Sequence, residues 1–511
     1  MAPPDGVDAT APVSAEDFHR YRWGQGGNFG AVFVLEKWMA GSMFPDAGDG
    51  QTSELEAARI WTDREGLEGA RVRFERHWRD MVKDERIEYL VNTARCTLVR
   101  LPVGFWTCGP QFCQGTPFEP YGMVWVNAWA TVKSLVARLA DNGISTLVDL
   151  HGLPGGANDG EHSGTNIKQA LLWQDRRHWH HSVAALEFMA HDLRGVPGVA
   201  GLQVCNETCY DARGMYDFYD EAIAAISRAD SGLPIVISDG WDLPRAADYA
   251  MHKNSLFSGV PNPTIIDTHY YWCFAPKDTS KSPQEVIDDV GNKLSELDGR
   301  EGDVTTRGAV QVFVGEYSVV MAESTWQKVD GSERDEYTKR FGQAQQARWQ
   351  SRAAGSTFWS FTVEWYPGGG WGYAAQINSG ALPVPPHLTL PADEVRARLA
   401  RADAERQPRL DKAYADHVGW WGRDGFEHWR FQRGWDVGFA DARAFFGWRS
   451  AGGFAQAAAG GASEGADTIG AREVWVRKRL LDSGSRKEKF VWEYEHGLRK
   501  GMSDFYELVG C

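Results

Sequence analysis

The chain of 511 residues has no uninterrupted apolar stretch of the roughly 18 residues a membrane helix needs, so no membrane span is expected. Its opening, MAPPDGVDATAPVSAEDFHRYRWGQGGNFG, is polar and small and lacks the apolar heart of a secretion signal. A cytoplasmic location is therefore expected, with secretion requiring a leader removed ahead of Met1. Positive charge is in deficit: 54 Lys and Arg stand against 69 Asp and Glu, a formal charge of −15. That balance repels nucleic acid and anionic surfaces and is indifferent to a neutral ligand. Cysteines are few and odd in number. Cys96, Cys108, Cys113, Cys205, Cys209, Cys273 and Cys511 show no zinc-like spacing and fit a reduced protein. The Gly-rich stretches GGNFG (26–30) and PGGAN (154–158) lack the Lys-Ser/Thr of a phosphate loop, so nucleotide binding is not indicated. His178, His180 and His181 lie together, but with no matching carboxylates they read as a solvated helix face. No cofactor and no metal is expected.

What the chain does have is apolar residues, 43%, enough for a large core, and 23 Trp. Most Trp serve cores, but an indole offers a flat apolar face and an N–H donor, which suits a sugar ring.

Eight short apolar runs recur between stretches of helical character: 29–35, 96–103, 145–150, 199–205, 234–238, 264–271, 310–314 and 356–361. Several are apolar throughout, as strands covered on both faces are. The intervening segments 121–140, 175–193, 215–229 and 282–297 read as helices, the first stopping at Asp141–Asn142–Gly143. Eightfold alternation predicts an α/β fold, a (β/α)8 barrel spanning 24–380. Residues 1–23 are expected as a tail, and 104–122, with three Pro, as a rim loop over the site. A Pro-rich linker near 381 introduces a mainly helical extension, 381–511, opening on a charged helix over 392–411. Residues 451–470 are expected as an Ala/Gly-rich loop. Two segments of the extension repeat at an offset of 63, about 429–447 and 492–510: Trp429 aligns with Trp492, Gly434 with Gly497, Gly438 with Gly501, and Asp441 with Asp504. Glycines four apart share a helix face and permit another backbone to approach, so these read as two related arms, packed on each other or on the barrel.

In a parallel barrel the chemistry sits at the carboxyl ends of the strands. Those ends carry Arg100, His151, Asn206 with Glu207, His269 with Tyr271, Glu316, and Trp359. Two carboxylates, Glu207 and Glu316, face each other across the mouth, and glycoside hydrolysis requires two such groups. Arg100 and Tyr271 are placed to keep Glu316 ionised, whereas Glu207 as a general acid would need to hold a proton through burial and its partner's charge.

These motifs resemble glycoside hydrolase family 5, most closely its fungal exo-β-1,3-glucanase branch. The resemblance runs from about residue 24 to 375. NFGAVFVLEKWMAGSMF, VRLPVGFW, DLHGLPGGANDGEHSG, CNE, DTHYYWCF, VGEYS and FWSF carry it in order. It implies that Glu207 is the acid/base and Glu316 the nucleophile of a retaining enzyme without cofactor. It further implies that Glu36 grips a terminal glucose, supported by Arg100, His151, Asn206, His269, Tyr271 and Trp359, with Phe274 at the entrance. The chain departs from that branch at Gly160, where an entrance aromatic is expected, and at His162, where an Asn contacts sugar. The reading is thus an exo-acting, retaining β-glucosidase or glucan exo-1,3-β-glucosidase with a carbohydrate substrate. The alternative is a glycosidase for small glycosides such as steryl, lipid or flavonoid glucosides or disaccharide conjugates, favoured by an open entrance at Gly160. A reading of another class is an inactive carbohydrate-binding barrel or scaffold. Oligomeric state is left open.

Overall fold

A computed structural model describes residues 11–454 and 464–511; residues 455–463 of the expected Ala/Gly-rich loop lie outside the described residues. Eight parallel strands run β1 (Gly24–Gly27), β2 (Leu98–Gly104), β3 (Ser145–Gly152), β4 (Val199–Gln203), β5 (Ile235–Ser238), β6 (Thr264–Trp272), β7 (Val312–Met321) and β8 (Gly355–Phe358). They pair in the order β1-β8-β7-β6-β5-β4-β3-β2. The ring closes between β1 and β2 through single bridges, Asn28 to Arg100 and Phe33 to Val103, and the bonds Thr97 N–H to Gln25 O (2.8 Å) and Phe29 N–H to Arg100 O (2.9 Å). The fold is the expected (β/α)8 barrel.

The first strand is not the expected one. β1 is the Gly-rich GQGG at 24–27, and the apolar run 29–35 follows it as turns buried under the rim. The reason is crowding: a Cβ on Gly26 would lie 1.8 Å from the Leu98 carbonyl oxygen, so only glycine lets β1 approach β2. The helix expected from 121 begins instead at Ala128, preceded by a 3-10 turn at Glu119–Trp125, and that expected over 282–297 ends at Val290, before Gly291. The charged helix near 392 is longer than expected, Ala392–Trp421.

Residues expected as a tail include the helix Ala15–Tyr21, started by a Ser14–Asp17 capping box. Its Phe18 and Tyr21 are buried with Leu98, Leu147, Val236, Ile265, Phe313 and Ala354, the apolar side chains at the amino ends of six strands. Trp435, Phe445, Trp475 and Phe505 of the extension join the same cluster. The underside of the barrel and the C-terminal helices thus share one core, leaving the carboxyl rim open.

Within the extension, the repeat segments form the helices Trp429–Gly447 and Val491–Val509, packed side by side and parallel. Added Cβ atoms would reach backbone carbonyls of the facing helix at 2.1 Å from Gly434, 2.0 Å from Gly438, 1.9 Å from Gly497 and 2.1 Å from Gly501. The aligned aspartates also play alike: Asp504 accepts the Trp435 indole N–H (2.8 Å) and Asp441 that of Trp475 (3.1 Å).

Candidate active site

The site forms around Arg100, which is fully buried in the third position of β2. A buried guanidinium needs every donor used and a counter-charge. Its Nη1 donates to Glu316 Oε1 (2.8 Å) and Asn28 Oδ1 (3.0 Å), Nη2 to Asn206 Oδ1 (2.7 Å), and Nε to Gln203 Oε1 (2.9 Å). Asp149 Oδ2 lies 3.0 Å from Nη2. One cation therefore fixes residues from four strands or their exits.

Glu316, in β7, is held on its other oxygen by the Tyr271 hydroxyl at 2.8 Å. Across from it, Glu207 follows β4 with φ of +40°, a left-handed conformation that costs a non-glycine residue about 1–2 kcal/mol. Its carbonyl is secured by the Asn158 side-chain amide at 2.8 Å. Glu207 Oε1 meets His269 Nδ1 at 2.8 Å, and His269 Nε2 meets Asp267 Oδ2 at 2.9 Å. An oxygen of Glu207, the ring nitrogen of His269 and an oxygen of Glu316 all lie within 4.8 Å of one another.

The protonation pattern follows from this arrangement. Burial opposes a charged His269, but Glu316, Asp267 and the two hydrogen bonds outweigh it and raise its pKa well above the ordinary imidazole range. Burial likewise pushes Glu207 up, but the His269 hydrogen bond and charge, with lesser help from His162 and His151, bring it below the ordinary carboxyl range. Against the expectation of a Glu207 pushed up to hold a proton, its direction is downward, because His269 Nδ1 stands 2.8 Å from Glu207 Oε1. His151, buried and 2.6 Å from Asp149 Oδ2, is pushed down by burial, with His162 and Arg100 adding to the fall. Glu36 is pushed up to about 7 by burial, with Glu316 adding to the rise and His162 and the Trp38 indole hydrogen bond (2.9 Å) opposing it.

These groups line a cavity of about 550 Å³ bounded by Glu36, His151, His162, Asn206, Glu207, Tyr271, Phe274, Glu316 and Trp359, with Trp38, Trp241 and Trp371. Of the residues expected from sequence, Arg100 and His269 stand behind this wall and the other nine form it. Trp359 lies parallel to the His151 ring at 5.9 Å, and His162 Nε2 lies 3.7 Å from Glu207 Oε2. Phe274 is 69% exposed at the mouth. The segment 104–122, expected over the site, contributes nothing to the wall: its Trp106, with Trp125, donates to the buried Glu54 instead. Among the described residues, His178, His180 and His181 form no potential metal-binding group.

Sequence reasoning passed over the three pocket tryptophans and the polar floor of Asn28, Asp149, Gln203 and Asp267. The two aspartates had a signal. DLH at 149–151 and DTH at 267–269 repeat one pattern, and the period of two along a strand puts each Asp on the same face as its His. Trp241 had none; it sits in a turn after β5 at φ of +62°, half exposed.

Barrel, rim carboxylates and aromatic pocket together define a glycoside hydrolase. Residues 62–364 match Cellulase (glycosyl hydrolase family 5), and the chain belongs to that family. Residues 402–509 match a further family, the Glucan 1,3-beta-glucosidase 3 C-terminal domain. Over 502 residues the chain is 29% identical to an uncharacterized glycosyl hydrolase of Saccharomyces cerevisiae, covering 95% of this chain and 91% of that one. It is 27% identical over 500 residues to glucan 1,3-beta-glucosidase 3 of Schizosaccharomyces pombe, covering 95% and 96%. Among solved structures, rutinosidase from Aspergillus niger shares the fold at a TM-score of 0.53 and 17% identity, covering 71% of this chain and 99% of that one. No helix among the described residues is long and apolar enough to cross a membrane.

Proposed function

We propose that the chain is an exo-acting, retaining β-glucosidase that releases terminal β-linked glucose, with glucan 1,3-linkages as the principal substrate class. The observation that supports the mechanism is that an oxygen of Glu207 and one of Glu316 lie within 4.8 Å of each other, which is compatible with the separation of about 5–5.5 Å between the carboxyl groups of retaining pairs. Glu316, kept anionic by Arg100 and Tyr271, attacks the anomeric carbon. The glycosidic oxygen takes its proton from Glu207, which draws it from His269 Nδ1. With the sugar bound to Glu316, Glu207 is again a carboxylate; it removes a proton from water as that water attacks, and the proton returns to the pair. Glu36, His151 and Trp359 hold the glucose, His162 contacts it beside Glu207, and Asn206 bonds the 2-hydroxyl.

The relatives that carry glucan 1,3-beta-glucosidase in their names support the substrate class. A second reading, a glycosidase of small conjugates, is favoured by one observation: the chain has Gly160 where the resemblance expects an entrance aromatic, while Phe274 is exposed. Rates on laminari-oligosaccharides, an aryl β-glucoside and a steryl β-glucoside separate the two. The glucan reading expects the highest kcat/KM on the oligosaccharides, with glucose as the first product. Preference for the steryl glucoside, or release of disaccharides, overturns it.

A further inference from the structure

Away from the barrel mouth, three polar side chains converge inside the extension. His417 lies near the end of the helix Ala392–Trp421, His428 immediately precedes the helix Trp429–Gly447, and Glu493 is in the first turn of the helix Val491–Val509. They are 8%, 7% and 0% exposed. His417 Nε2 at 3.1 Å and His428 Nδ1 at 2.8 Å both address one atom, Glu493 Oε2, and the three atoms lie within 4.8 Å of one another.

The surrounding bonds say what that convergence requires. His428 Nε2 is 2.7 Å from the Gly422 carbonyl, which can only accept, so Nε2 carries a proton. A neutral His428 then turns the lone pair of Nδ1 toward a carboxylate oxygen, and two acceptors at 2.8 Å repel. Positive charge must lie between them. The other oxygen, Glu493 Oε1, is oriented by the Glu427 backbone N–H at 2.8 Å, and the His417 ring is stacked on Phe431 at 4.1 Å. A ring nitrogen facing a common point while the far N–H donates to a backbone carbonyl is how metal-bound histidines are held. Phe426 packs on the His428 ring at 5.6 Å, and Trp492 and His496 stand 6.1 and 6.3 Å from the His417 ring.

We propose that His417 Nε2, His428 Nδ1 and Glu493 Oε2 bind one divalent ion of the zinc class, which clips the end of the long helix, the 422–428 turn and the start of the last helix together. Two imidazoles and one carboxylate are a zinc donor set. Bonds of about 2.0–2.1 Å at tetrahedral angles separate ligand atoms by about 3.3 Å, so the contacts of 3.1 and 2.8 Å to Glu493 need to open by only a few tenths of an ångström, and the two ring nitrogens already lie within 4.8 Å of each other. A fourth position stays available to water.

The test uses the full chain, purified without a histidine tag and stripped with a chelator. Titration with cobalt(II) is expected to give the visible absorption of a tetrahedral N/O site, saturating at one ion per chain and abolished by zinc. Zinc is also expected to raise the thermal unfolding midpoint of the stripped chain, and chelator to reverse the rise. His428→Ala and Glu493→Gln should weaken binding more than about 100-fold, since loss of an outer partner alone costs about 10–100-fold. Should a variant fail to fold, the titration of the unaltered chain still decides. Absence of the cobalt band together with an unmoved midpoint means that the cluster is held by protons alone, and the proposal is wrong.

Discussion

Two carboxylates held within 4.8 Å would repel if left alone, and the neighbours of each give them different charge partners. Arg100 and Tyr271 serve Glu316, and the His269–Asp267 pair serves Glu207. Glu207→Gln is expected to lower kcat on glucosides with poor leaving groups by about 10²–10⁴-fold, with less effect where the leaving group needs no proton. With azide added, Glu207→Ala should yield the β-glycosyl azide and Glu316→Gly the α; analysis of the product anomers checks both assignments. Glu36 supplies a pH test. Burial raises its pKa to about 7, so it gains a proton as pH falls from 8 to 6, and a neutral carboxyl is a weaker acceptor for sugar hydroxyls than a carboxylate. KM for an aryl glucoside should therefore rise across that fall, and Glu36→Gln should have a high KM that no longer depends on pH there. The linked stability has the opposite sense. The folded state binds the extra proton between about 4.5 and 7, so Glu36's contribution is lost as pH rises through that window. Most of these residues were legible because each is polar or aromatic at the end of an apolar run. The upward push on His269 was not, because it depends on His269 lying between Glu207, Glu316 and Asp267, which only the closed barrel brings about.

Among the elements, β1 and the helix pair show the two ways glycine can mislead or inform. The GQGG strand has no apolar signal because Leu98 of β2 leaves no room for side chains at Gly24 and Gly26, so hydrophobic patterning selected the neighbouring run 29–35. In the extension, by contrast, the glycine spacing was informative because it recurs in both arms at one helical period. Gly438→Ala would put a methyl group 2.0 Å from the Leu498 carbonyl and force the helices apart. A loss of about 1–3 kcal/mol is expected in urea unfolding, the usual range for overpacking a tight contact, while the same change at solvent-facing Gly419 should cost nothing measurable.

For the whole molecule, the extension and the N-terminal helix cover what would otherwise be an apolar floor. Arg477 reaches across to the carbonyls of Asn254 and Pro261, both at 3.0 Å, and Glu495 caps the short helix Val304–Arg307 by accepting the N–H groups of Val304 and Thr305, both at 2.9 Å. A chain ending at residue 380 loses the cover that Trp435, Phe445, Trp475 and Phe505 give to Leu98, Leu147, Val236, Ile265 and Phe313 and should aggregate more than the full chain, as judged by sedimentation. The sequence signals for this docking were weak, because those strand-start residues look like any other buried strand positions until their partners are seen. Double displacement by Glu207 and Glu316 is tested most directly by proton NMR of the first glucose released from an aryl β-glucoside. β-Glucose should appear first and the α-anomer only later, as mutarotation proceeds; initial release of α-glucose would contradict double displacement.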